Sequence, residues 1–125
     1  MDFIERRPER ANPVLCLIRN AVLREDLGEA LTSQGFRAAM RLDRARSYCA
    51  VILDIDDATP RQISTVRSLA EAGVPVILIG DSIETARETG LPCMAFFTMA
   101  FVTDLLVARL RALLEAPPDQ WPEVK

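Results

Sequence analysis

Three carboxylates, Asp54, Asp56 and Asp57, follow directly on the apolar run 50–53. Acidic groups at the end of a buried strand can ligate a hard dication through oxygen, or act as a nucleophile in group transfer. They can equally form a solvated turn whose charge caps the next helix. Polar or small residues close three other apolar runs: Arg19 and Asn20 after residues 14–18, Gly80, Asp81 and Ser82 after 75–79, and Thr98 and Met99 after 93–97. The chain has no histidine, and among its 15 Lys and Arg residues the only lysine is Lys125. Ser-His-Asp triads and histidine metal sites are therefore excluded, as are Walker A loops and core Schiff-base lysines.

The elements that must position these groups alternate. Residues 14–18 read as a doubly buried strand, followed by a helix over 21–34 with Leu23, Leu27, Ala30 and Leu31 on one face and Gly35 as its C-cap. A second strand is expected at 36–40 and a third at 50–53. Pro60 opens a helix carrying Ile63, Val66, Leu69 and Ala70, which Gly73 closes. A fourth strand at 75–79 precedes a short helix capped by Ser82, a fifth runs over 93–97, and a long last helix spans 101–115. Five strand–helix alternations predict an α/β fold, a doubly wound five-stranded parallel sheet with helices on both faces. Only residues 41–48 separate the second and third strands, where a parallel crossover normally takes a dozen. The second crossover is therefore expected to be a single helical turn or an irregular loop, with the second helix stunted and the structure there the least regular.

Length fits one domain: 125 residues, half of them hydrophobic and 26% charged, enough to bury a core without staples. Residues 13–116 are read as that domain, 1–12 as a flexible leader, and 117–125 as a proline-rich tail in which Trp121 either packs back or anchors a partner. A net charge of -3 gives no basic field for nucleic acid or an anionic membrane. No apolar run is long enough to span a bilayer, and the N-terminus lacks a secretory signal. Cys16, Cys49 and Cys93 are odd in number, far apart and set in apolar runs, so they are expected to be buried free thiols of a cytoplasmic protein. No GxGxxG follows the first strand, so no dinucleotide or flavin is expected, and neither cofactor nor metal is assigned.

In an open α/β sheet, ligands sit beyond the carboxyl ends of the strands. The order of elements, with Asp54 closing the third strand and residues 96–101 leading into a last helix, resembles the receiver domain of two-component response regulators, over about residues 13–116. The resemblance implies the flavodoxin-like strand order 2-1-3-4-5 and makes Asp54 the position of the phosphoacceptor. Asp56 is its rival, because it has Pro60 four residues on; Asp54 keeps strand and helix in register without a gap.

The departures from the receiver pattern bear on activity. The acidic pair that chelates Mg²⁺ in receivers falls at Ile18 and Arg19, or at Arg19 and Asn20. The receiver threonine or serine corresponds to Gly80, with Ser82 two residues late, and the receiver lysine to Met99, followed by Ala100. Phosphoryl transfer rests on positioning and charge neutralisation, so a carboxylate without metal or lysine should lack useful rates. Arg19 is expected either to replace the metal by a bidentate bridge to Asp54 or Asp56, or to be a solvated loop residue.

These readings give a non-catalytic receiver-like protein-interaction domain in two-component-type signalling or transcriptional regulation. As in receivers, it would dock through the fourth helix, fifth strand and last helix, to a histidine kinase, a regulator or a second copy in a homodimer. Phe97, Phe101, Val102, Leu106, Val107 and Arg109 are the expected interface residues, the phenylalanines being equally readable as core. The alternative is a phosphoacceptor receiver using Asp54 in a phosphorelay. A third reading is a small-molecule-binding module, which a closed, dry pocket over the sheet would favour.

Overall fold

The structure, a computed structural model, describes residues 12–43, 45–98 and 101–116. Its strands are β1 (Val14–Leu17), β2 (Ala38–Ala39), β3 (Ala50–Asp54), β4 (Val76–Gly80) and β5 (Ala95–Thr98). Its helices are α1 (Ala21–Ser33), α2 (Pro60–Glu71), α3 (Ile83–Glu88) and α4 (Thr103–Glu115). All strand pairs are parallel and the order is β2-β1-β3-β4-β5, as expected.

Apolar runs without polar alternation form these strands because both sheet faces are covered. Cys16, Ile52, Ile77 and Ile79 face one layer, where they meet Leu27 and Leu31 of α1 and Leu106 and Leu110 of α4. Leu15, Val51, Leu53 and Leu78 face the other, against Val66 of α2 and Ala86 of α3. The three cysteines are buried thiols outside any disulfide, and burial pushes the Cys16 thiol up to about 12, so it stays protonated and inert.

Local signals start three of the four helices. The Asn20 side chain accepts from the Leu23 N–H at 2.9 Å, Thr59 and Gln62 form a capping box with Pro60 at the first turn, and Ser82 accepts from the Thr85 N–H at 3.2 Å. At α4 the N-cap position is Val102, which supplies no side-chain cap.

The second crossover departs furthest from a regular crossover. Between β2 and β3 no helix forms among the described residues, so the crossover is the irregular loop rather than the single helical turn. The Tyr48 hydroxyl organises the turn instead: it accepts from the Asp43 N–H at 2.7 Å and lies 3.3 Å from the carbonyls of Arg41 and Asp43. The strand expected over 36–40 shrinks to Ala38–Ala39, since β2 pairs with β1 alone and Phe36 turns into the core. Residues 1–11 and the tail with Trp121 lie outside the described residues.

Candidate functional site

β3 delivers Asp54 to the carboxyl edge of the sheet. Its side chain is 2% exposed, the one buried charged group among the described residues. Burial pushes its carboxyl above the ordinary carboxylate range. The negative charges of Asp57 and Asp56 add to that rise, and hydrogen bonds from the Asp56 and Asp57 N–H groups oppose it. The Asp56 N–H lies 3.0 Å from Asp54 Oδ1, so the carboxylate is held by its own turn.

The space beside Asp54 is closed by its neighbour. The Ile55 N–H donates to the Ile79 carbonyl at 2.9 Å, extending the β3–β4 ladder by one bond and laying the Ile55 side chain over Gly80. A Cβ added at Gly80 would sit 2.6 Å from Ile55 Cγ1 and 3.0 Å from Cδ1. Ile55 is itself 6% exposed and has little room to withdraw. Asp56 completes the closure: its Oδ2 accepts from the Asp81 N–H at 2.8 Å and ties the turn after β3 to the end of β4. The residue expected to correspond to the receiver hydroxyl, Gly80, is a glycine under an isoleucine.

On the other flank, Leu17 pairs with Leu53, which brings Ile18 beside Asp54. Ile18 is buried in the core, and the alternation that buries it turns Arg19 outward. The bridge expected from Arg19 to Asp54 or Asp56 is not formed, and its exposed guanidinium has no partner among the described residues. Arg24 of α1 reaches this edge instead, donating to the Ile18 carbonyl at 3.2 Å. Asn20, the third acidic-pair position, is the α1 cap. No three His, Cys, Asp or Glu side chains among the described residues are grouped so that they could hold a metal ion.

At the far end of the edge, Met99 lies outside the described residues. Phe97 and Phe101 stack edge-on, with ring centroids 6.2 Å apart at 61°, and pack on the core. Leu106 and Val107, expected at an interface, are instead completely buried, because α4 turns the stripe 106, 107, 110, 113 and 114 to the sheet. Val102, at 55% exposure, and Arg109 do face outward, and Leu105 is more exposed still at 65%.

Sequence reasoning missed Ile55 and Arg24, and it counted Leu105 among the apolar residues of the last helix without assigning it to the interface. The apolar period 51, 53, 55 continues through the acidic turn and was the available signal for Ile55. Leu105 stands outside the stripe that ends at Leu114 and shares its outward face with Arg109 four residues on. Nothing local marks Arg24 as serving a strand carbonyl.

Similar solved structures share this architecture. The structure of HP1043, an orphan response regulator of H. pylori, is 23% identical, with a TM-score of 0.65, over 86% of this chain and all of that one. The non-phosphorylated HemR receiver domain from Leptospira biflexa is 18% identical, with a TM-score of 0.68, over 85% and 96% of the two chains. A response regulator receiver protein from Sinorhizobium medicae is 21% identical, with a TM-score of 0.68, over 84% and 95%. No family model and no curated protein matches the sequence. With the strand order, the flanking helices and the place of Asp54, these likenesses give the chain the receiver fold of the two-component response regulators.

Proposed function

We propose that this domain is a non-catalytic, receiver-like protein-interaction module of two-component-type signalling or transcriptional regulation, and that it is not phosphorylated in the usual way. The observation that carries this reading is Ile55 lying over Gly80, which fills the position of the receiver hydroxyl. Two further features support it. Arg19 stands in the acidic-pair position without closing on Asp54. No lysine exists in the sequence before Lys125 to meet a phosphoryl group at the end of β5.

The domain acts as a surface. Val102 and Leu105 present apolar groups at the start of α4, with Arg109 one turn beyond Leu105. A second copy of the chain is the occupant that matches such a patch with itself; a histidine kinase or another regulator is the other partner class. The experiment is incubation with Mg²⁺ and acetyl phosphate, read by intact mass. An unmodified chain is expected. A phosphoryl adduct that Asp54→Asn abolishes would establish the phosphorelay reading in its place.

A further inference from the structure

The helix-less crossover leaves a groove of about 330 Å³ between the turn after β2 and the flank of α2. That volume is at the small end of the ~300–1,000 Å³ found for ligand clefts. Its chemistry is divided. Leu42 and Leu69, both half-buried and packed on the core below, supply apolar walls. The remaining lining is dominated by hydrogen-bond donors. The Arg46 guanidinium has no partner among the described residues, and neither do the hydroxyls of Ser64 and Thr65, which lie side by side on α2.

The acceptors in the same lining are partly engaged. Asp43, the carboxylate of the lining, accepts from the Ala45 N–H at 3.0 Å. The Tyr48 hydroxyl accepts from the Asp43 N–H and faces two carbonyls. An unpaired guanidinium, two free hydroxyls and two leucines together match a molecule with one anionic head and an apolar body.

We propose that this groove binds a small organic carboxylate. The head pairs with Arg46 and the hydroxyls of Ser64 and Thr65, and the body lies between Leu42 and Leu69. The site is on the face of the sheet covered by α2 and α3, away from the Val102 and Leu105 patch, and it is independent of whether Asp54 is ever phosphorylated.

The test is a pair of amide NMR titrations, one with benzoate and one with its uncharged counterpart benzamide. Benzoate is expected to shift the amides of Leu42, Arg46, Thr65 and Leu69 saturably at millimolar concentration, with benzamide about tenfold weaker, the scale of a charged hydrogen-bonding contact. Arg46→Gln should weaken benzoate by a similar factor and leave benzamide unchanged, and Thr65→Val should weaken benzoate several-fold. Both substitutions are polar-surface changes, and unshifted core amides will show that the fold is kept. Absent or scattered shifts, equal binding of benzamide, or indifference of benzoate to Arg46→Gln would each overturn the proposal.

Discussion

The carboxyl edge of the sheet is built on opposite plans at its centre and at its β5 end. Where β3 and β4 finish, Asp54, Ile55 and Asp56 are each engaged. Asp54 is buried and bonded to its own turn, Ile55 covers Gly80, and the Asp56 carboxylate holds the Asp81 N–H. Where β5 gives way to α4, the helix starts without a side-chain cap and exposes Val102 and Leu105. In a receiver the first place does the chemistry and the second is where output is read. Here Asp54 is buried and Ile55 lies over Gly80 at the first, while the second keeps its accessible apolar groups. On the proposed reading, the difference teaches that a fold can lose a reaction site by ordinary core packing, one isoleucine over one glycine, without disturbing the strand order around it.

Reopening the closed end should have the largest effect. Gly80→Thr restores a receiver-like hydroxyl but drives its Cβ into Ile55, and overpacking of this kind costs about 1–3 kcal/mol. Urea unfolding should register that loss, and most of it should disappear when Gly80→Thr is made in an Ile55→Ala background. Equal losses in both backgrounds would break the comparison at its root, since Ile55 would not be what closes the site.

Leu105→Glu addresses the open end. At 65% exposure the residue contributes little to the fold, so stability should change by no more than ~0.5 kcal/mol. If the patch pairs two copies, sedimentation velocity should show the wild-type chain self-associating and the variant monomeric. A wild-type chain that is monomeric at all concentrations would assign the patch to a different protein.

Asp54 gives a smaller, signed effect. Its carboxyl is raised in the folded protein, so the folded state holds the proton more tightly than the unfolded chain. Stability therefore falls as pH rises from the ordinary carboxylate value through the raised one, and the loss persists at neutral pH. Asp54→Asn removes the charge and keeps an acceptor for the Asp56 N–H. It should raise the melting temperature by a few degrees at pH 7, with the gain shrinking towards acid pH. Arg19→Ala should do least, within ~0.5 kcal/mol, because its guanidinium bridges to nothing described; a larger loss would restore it as a stand-in for the metal.

Much of the fold was legible because its signals are local or periodic. Runs such as 76–79 have no polar alternation, which only a sheet covered on both faces explains. The shortness of residues 41–48 exposed the weak crossover by arithmetic alone, although only the structure shows that Tyr48 replaces the helix. The candidate site was half legible. Asp54 and Gly80 could be placed by counting along strands, but the contact between Ile55 and Gly80 joins two strands through a turn, and no single stretch of sequence carries it. Val107 was misplaced for a different reason. The stripe 106, 107, 110, 113, 114 is a core period, and a count of apolar residues on α4 without their phase reads part of it as surface.

The most direct test of the closed site is an amide NMR titration with Mg²⁺ and then beryllofluoride, on the wild-type chain and on Asp54→Asn. The account predicts no saturable shifts around Asp54, Ile55 and Gly80 in either protein. Shifts that cluster at those residues in the wild type and vanish in Asp54→Asn would contradict it, and would mean that the Ile55 cover opens to admit a phosphoryl group.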